Sequence, residues 1–192
     1  MKKILLLASG LGVAIWLNYQ KSVDRALQRA CDGGTMEACL DLGNRYRDRY
    51  RDGEGIPQDF ARVASLYEEA CDGGVMPGCI NLANRYQSSN TVTRNLTRAA
   101  GFHEQVCNGG VMRGCTNLGN MYRAGGGVTQ DFDRAADLYE QACDGGDMRG
   151  CTNLGNMYQV GDGITQDLSR AASLYERACD GGWERACSED MK

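Results

Sequence analysis

The chain has 192 residues, 42% of them hydrophobic, with 26 glycines and only two prolines, so it is long enough for a sizeable core and is punctuated by glycine. Its formal net charge is −4, and Lys2, Lys3 and Lys21 stand without an acid in the first 22 residues, leaving the rest more acidic still, which argues against nucleic acid as a partner. Ten regularly spaced cysteines beside a single histidine, His103, point to disulfides in an oxidising compartment and away from zinc, whose sites usually pair cysteines about two to four residues apart and recruit histidine.

Met1-Lys2-Lys3 precedes fourteen residues without a charge, Ile4 to Leu17, the pattern of an export signal. No small-x-small cleavage site follows, because Trp16 stands where a small residue belongs, and no lipoprotein cysteine follows Ala8-Ser9-Gly10. Residues 1–22 are therefore read as a signal peptide or an N-terminal anchor, and both readings export the repeats. Val23 to Ala30 is expected to be the tail of a helix, a half unit that caps the array.

From Cys31 the chain repeats itself. Cys31, Cys71, Cys107, Cys143 and Cys179 each open a nine-residue element such as Cys143-Asp144-Gly145-Gly146-Asp147-Met148-Arg149-Gly150-Cys151, and Cys39, Cys79, Cys115, Cys151 and Cys187 close it, so no cysteine lies outside an element. In one continuous helix the two Cα atoms would stand about 12 Å apart along the axis, beyond the roughly 7 Å limit for a disulfide. A bond requires a chain reversal, which Gly-Gly supplies through the left-handed conformation that ends helices.

The elements set a first unit of 40 residues (31–70) and three of 36 (71–106, 107–142, 143–178), the period of a solenoid of stacked units. In the third unit Met112, Cys115, Leu118 and Tyr122, then Phe132, Ala135, Tyr139 and Ala142, fall three to four apart, so each half is an amphipathic helix. Asp131 is placed to cap the second helix, as are Asp59, Asn95 and Asp167 in the other units. The first unit is longer because Arg45-Tyr46-Arg47-Asp48 is followed at once by Arg49-Tyr50-Arg51-Asp52, about one more turn of helix. The second unit is degenerate: Ser89 to Arg94 replace the glycine loop, and His103 takes the place of Tyr67, Tyr139 and Tyr175, where it is expected to pack in the core or at a groove edge. Asn95-Leu96-Thr97 matches a glycosylation sequon but is better explained as a cap. Residues 179–192 form a half unit with a polar end, so that 23–192 reads as one complete array.

Leu-Gly-x-x-Tyr-x-x-Gly-x-Gly-Val/Ile-x-x-Asp followed by Ala-Ala-x-Leu-Tyr-Glu-x-Ala resembles the Sel1-like repeat, a relative of the tetratricopeptide repeat, and Cys-x₇-Cys in each unit resembles its exported, cysteine-rich (Hcp-type) bacterial branch. The resemblance covers residues 23–192. It implies an all-α fold, a right-handed α/α superhelix of paired antiparallel helices, with one disulfide inside each element: Cys31–Cys39, Cys71–Cys79, Cys107–Cys115, Cys143–Cys151 and Cys179–Cys187. It implies a monomeric adaptor for a protein or peptide partner, without cofactor or metal and touching membrane only through a retained N-terminal anchor. Some members of that branch are described as penicillin-binding or weak β-lactamases.

The residues give that activity little support. No serine stands three residues before any of the four lysines, one histidine cannot build a zinc site, and disulfide-bonded cysteines are not nucleophiles. The binding candidates are asparagines. Asn44, Asn84, Asn120 and Asn156 recur at one position of the first helices, and Asp41, Asn81, Asn117 and Asn153 recur three residues earlier. Stacked first helices line a concave face, where these amides form a ladder that grips a peptide backbone or else satisfy neighbouring backbone groups; recurrence fits both. Arg45, Arg85, Met121 and Met157 beside them are expected to be exposed and to tune specificity.

Overall fold

The computed structural model describes residues 10–51, 59–88 and 95–187. Among them every regular element is helical. The chain divides into two compact units, residues 1–78 and 79–192.

In the first unit α1 (Gly10–Asp32) packs on α2 (Met36–Arg51), and α2 packs on α3 (Asp59–Asp72). Cys31, Cys39, Leu42, Leu66 and Ala70 form the core. The helix tail expected from Val23 is the end of a longer helix that begins at Gly10 and takes in the back half of the export segment; residues 1–9 of that segment lie outside the described residues. Ile15, Leu17 and Tyr19 on α1 are exposed, yet no helix among the described residues is long and apolar enough to cross a membrane. Asp24, almost fully buried, holds α1 to α2 through Arg45 at 2.8 Å and Arg49 at 2.6 Å. The Arg-Tyr-Arg-Asp duplication lengthens α2 to 16 residues, against 13 for the first helix of the third repeat. Asp52 and the loop after it lie outside the described residues, as do Ser89 to Arg94.

A fourth helix, α4 (Met76–Ser88), begins just before the division between the units. The second unit continues with α5 (Leu96–Asn108), α6 (Met112–Ala124), α7 (Phe132–Asp144), α8 (Met148–Val160) and α9 (Leu168–Asp180), and ends in a 3₁₀ turn at Glu184–Ala186. From α5 onward each helix packs on the next. Three of the predicted caps form, Asn95, Asp131 and Asp167 accepting from the backbone N–H of Arg98, Arg134 and Arg170, while Asp59 is itself the first residue of α3. Such caps contribute about 1 kcal/mol each. The guanidiniums of Arg98, Arg134 and Arg170 lie 4.9, 4.8 and 5.3 Å from the ring centres of Tyr86, Tyr122 and Tyr158, tying each second helix to its first.

The Gly-Gly turn uses its two glycines for different reasons. The second takes the left-handed conformation, with φ of +92° at Gly146 and +85° at Gly182. The first has ordinary dihedrals, φ −81° and ψ 4° at Gly145. What it provides is space: a Cβ there would collide with the side chain of Met112, one repeat earlier, and Gly181 stands in the same relation to Met148. The reversal brings the cysteine Cα atoms to 4.8 Å for Cys31–Cys39, 4.6 Å for Cys107–Cys115 and Cys143–Cys151, and 4.9 Å for Cys179–Cys187, all bridged. Cys71 and Cys79 are disulfide-bonded as well, and no cysteine is free. Closing a loop this short stabilises by roughly 2.5 kcal/mol in the chain-entropy picture.

Candidate functional site

Within a repeat, the two helices meet at a tyrosine. Tyr67, Tyr139 and Tyr175 are buried, and their hydroxyls donate to Asn44 Oδ1 at 2.9 Å, Asn120 Oδ1 at 2.7 Å and Asn156 Oδ1 at 2.8 Å. Glycine makes room for the ring: a Cβ at Gly119 would stand 2.7 Å from Tyr139, and Gly43 and Gly155 face Tyr67 and Tyr175 as closely. Burial pushes the Tyr139 phenol up to about 12 and raises that of Tyr175, so both remain protonated donors. The second repeat breaks this arrangement. Ala83 stands in the glycine's place and His103 in the tyrosine's; the histidine is fully buried, and neither ring nitrogen has a hydrogen-bond partner. Burial, helped by the charge of Arg113, lowers its pKa to about 4.

In the second unit, the first-helix positions of successive repeats line one groove, a cavity of about 490 Å³. Thr116, Asn117 and Asn120 come from α6, Arg149, Thr152 and Asn153 from α8, and Trp183 and Arg185 from the 3₁₀ turn and its cap. Asn120 Oδ1 accepts from Tyr139 and also from Asn153 Nδ2 at 3.1 Å. The tyrosine thereby orients one asparagine, which orients the next. Asn120 Nδ2, Asn153 Oδ1 and the whole amide of Asn117 have no protein partner among the described residues, so the groove presents both donors and acceptors.

A second network stands beside the first. Asp147, the cap of α8, receives Arg149 Nε at 2.9 Å and Nη2 at 2.7 Å, and Thr116 Oγ1 at 2.8 Å from the preceding repeat. Burial would raise the Asp147 pKa, but the hydrogen bonds and charge of Arg149, with the Thr116 hydroxyl, outweigh it and hold the carboxyl below the usual carboxylate range. The arginine is thus fixed in orientation.

The structure places the sequence candidates unequally. Asn117, Asn120 and Asn153 come together in the groove, whereas Asn44 and Asn156 serve their tyrosines and Asn81 and Asn84 lie half-buried on α4. Arg45 turns to Asp24 and Gln20 of α1, and Arg85 is half-buried on α4. Met121 and Met157, expected at the surface, are buried: each packs on the second helix of the preceding repeat, Met121 against Ala99 and Ala100, Met157 against Ala135 and Tyr139. Thr116, Thr152, Arg149, Arg185 and Trp183 escaped the sequence reading. Their signal was present as a second column, Arg113, Arg149 and Arg185, each two residues before the closing cysteine of its element and 36 residues apart. Among the described residues Cys31, Cys39 and Glu69 group as metal ligands would, but both sulfurs are spent in a disulfide.

The model of the Sel1 repeat matches four times, at residues 37–75, 77–111, 113–147 and 149–183. No curated protein matches the sequence. Among solved structures the chain is similar to c5321, a protective antigen of uropathogenic Escherichia coli displaying an SLR fold, with a TM-score of 0.72 and 26% identity over 85% of this chain. It spans 34% of that protein's length. A Sel1 repeat protein from Oxalobacter formigenes matches with a TM-score of 0.63 at 21% identity, over 85% of this chain and 71% of the other. Cysteine rich protein B of Helicobacter pylori matches with a TM-score of 0.55 at 29% identity, over 70% of this chain and 97% of that one.

Proposed function

Because this chain belongs to the Sel1 repeat family, we propose that it is an exported, disulfide-stapled scaffold that binds a protein or peptide partner along the groove of its first helices and catalyses no reaction. The observation that carries the reading is the set of amides in one groove, Asn120 and Asn153 oriented through Tyr139 with one amide atom each left over, and Asn117 with no protein partner among the described residues. An extended peptide offers a donor and an acceptor at each residue, and a side-chain amide answers both from separate atoms. Fixing Asn120 and Asn153 in advance through Tyr139 lowers the ordering cost of binding. Among the described residues the groove lining holds no serine, lysine, cysteine or histidine that could serve as nucleophile or base. Export is supported by the disulfides, by the N-terminal segment and by the likeness to the cysteine-rich Helicobacter pylori protein.

The test uses the oxidised full chain as bait for crosslinking in an extract of the bacterial envelope. Replacing Asn117 and Asn153 by alanine is expected to abolish capture of the partner while leaving the melting temperature unchanged. Capture indifferent to both substitutions, or turnover of a chromogenic β-lactam that one point substitution removes, would overturn the scaffold reading.

A further inference from the structure

We propose that α1 is a membrane-binding element: the apolar N-terminal segment stays on the mature chain and inserts in a bilayer, and Lys21, Arg25 and Arg29 rest on its anionic phospholipid headgroups. The inference rests on the export part of the scaffold reading and is independent of the groove.

The apolar half comes first. The stretch from Ile4 to Gln20 holds 17 residues without a charge, bounded by Lys3 and Lys21. A helix of that length reaches about 26 Å, close to the roughly 30 Å hydrocarbon core of a bilayer. α1 takes in the back part of this stretch, and there Ile15, Leu17 and Tyr19 are 65%, 46% and 63% exposed. Ile15 and Leu17 stand two positions apart, so they point to nearly opposite sides of the helix. A protein partner covers one face of a helix, whereas a bilayer surrounds it. The half-buried Trp16 and the exposed Tyr19 come just before Lys21, where the aromatic belt of an inserted helix lies. The continuity of α1 supports retention. It runs unbroken from Gly10 to Asp32 and is held to α2 by Asp24 through Arg45 and Arg49, and by Gln20 through Arg45. Between Gly10 and the fold there is thus no extended break at which a processing enzyme could cut.

The basic half follows on the same helix. Lys21, Arg25 and Arg29 recur every four residues and are exposed, so they form a stripe along α1. Among the described residues the two guanidiniums hydrogen-bond only to backbone carbonyls of their own helix, Arg25 Nε to Lys21 and Arg29 Nε to Arg25. The two carboxylates of α1 leave the stripe positive: Asp24 is buried between Arg45 and Arg49, and Asp32, at the far end, accepts from Gln28. Arg62 of α3 adds a further positive charge beside it, donating to Gln28 at 2.9 Å. Ser22, Arg25, Gln28 and Arg29 line a cavity of about 550 Å³, a seat for a phosphate and its polar headgroup. In a chain of net charge −4 this is a local field of opposite sign, which draws an anionic surface. The heights agree as well. At about 1.5 Å per residue above Gln20, Lys21 and Arg25 fall within the roughly 7 Å headgroup layer, and Arg29 stands within a Debye length of it. An apolar segment joined to a basic patch is the pair of signals that stable membrane attachment takes.

The experiment uses the full chain, expressed with its own N-terminus in an exporting bacterium and isolated oxidised from the membrane fraction in mild detergent. Its intact mass is expected to include the apolar segment. In a Trp183→Phe background, Trp16 fluorescence should be quenched when the chain is reconstituted into vesicles whose acyl chains carry bromine. Native mass spectrometry from micelles holding phosphatidylglycerol and phosphatidylcholine in equal parts should show the anionic lipid retained at least about tenfold over the zwitterionic one. Lys21→Gln, Arg25→Gln and Arg29→Gln together should erase that preference, as should added salt, while the midpoint of urea denaturation stays unchanged. A mature chain that has lost residues 1–22, or a Trp16 that bromine does not quench because α1 pairs with a second copy, would overturn the bilayer reading. Absent lipid preference, or a preference that survives in the triple variant, would overturn the headgroup site. Each of these outcomes leaves the groove reading standing, since capture through Asn117 and Asn153 is measured without lipid, and failed capture in turn leaves the membrane element untouched.

Discussion

In the third repeat Gly119 clears the space that the Tyr139 ring fills, and the tyrosine hydroxyl reaches Asn120, which in turn orients Asn153 in the groove. In the second repeat the same three places hold Ala83, His103 and Asn84. The two changes belong together. A methyl group at the glycine position would lie less than 3 Å from a tyrosine ring, so Ala83 is compatible only with a smaller partner. The smaller partner leaves two ring nitrogens buried without hydrogen bonds. The second repeat has kept both its helices and given up the clasp, so the clasp is not required for the two helices to form.

The contrast can be broken most forcefully at the ring. Tyr139→Ala should cost about 3–5 kcal/mol in urea denaturation of the oxidised chain, for lost packing and a stranded asparagine. His103→Ala should cost less, about 1–2 kcal/mol, because it removes two buried groups that lack partners. Equal losses would contradict the comparison.

Acid should find the second repeat first. The folded-state pKa of His103, about 4, lies below the roughly 6.5 of an unfolded chain. The unfolded state therefore takes up the proton first: stability is complete above about pH 6.5, falls as pH drops towards 4, and levels below it. The loss over that window should reach about 3 kcal/mol at most. Asp147 adds a separate decline only below the usual carboxylate range, where its lowered pKa delays protonation relative to the unfolded chain. Denaturation curves between pH 4 and 7 that show no slope would refute the assignment of His103 as a buried neutral base.

Restoring the clasp sharpens the comparison further. His103→Tyr alone should destabilise by about 1–3 kcal/mol through overpacking against Ala83, whereas adding Ala83→Gly should recover that loss and flatten the acid limb. Additive effects in this double-mutant cycle, with no coupling above about 0.5 kcal/mol, would show that the two positions do not form one site.

Much of this architecture was legible because it is written several times over. Cys-x₇-Cys, the capping Asp131 and Asp167 and the second-helix tyrosines Tyr67, Tyr139 and Tyr175 recur at the same places in their repeats, so chance similarity in one repeat is corrected by the next. What escaped was the second partner of each helix. Met121 and Met157 read as exposed because the stripe of Cys115, Leu118 and Tyr122 already accounts for one apolar face, whereas the first helices of a stack bury a second face against the preceding repeat. The first glycine of Gly-Gly read as conformational for the same reason, since the Met112 that needs its space comes from the repeat before. Arg45 read as a groove residue because nothing local to α2 announces Asp24. Arg149 was hidden by habit of composition: an arginine two residues before a cysteine is unremarked until Asp147 and Thr116 are seen to hold it.

The finest division lies within α6, between asparagines three residues apart. Asn120 carries the tyrosine hydroxyl and the Asn153 amide on one oxygen, so Asn120→Ala strands the buried Tyr139 hydroxyl and should lower stability by about 1–2 kcal/mol. Asn117 faces the same groove and holds no protein partner among the described residues. Asn117→Ala should leave stability within about 0.5 kcal/mol of the parent, as for a surface substitution, and still weaken partner capture. If both substitutions change melting alike, the amides of this helix serve the fold alone. If they separate, the column of Asn120 is the frame and the column of Asn117 is the surface that the frame exists to present.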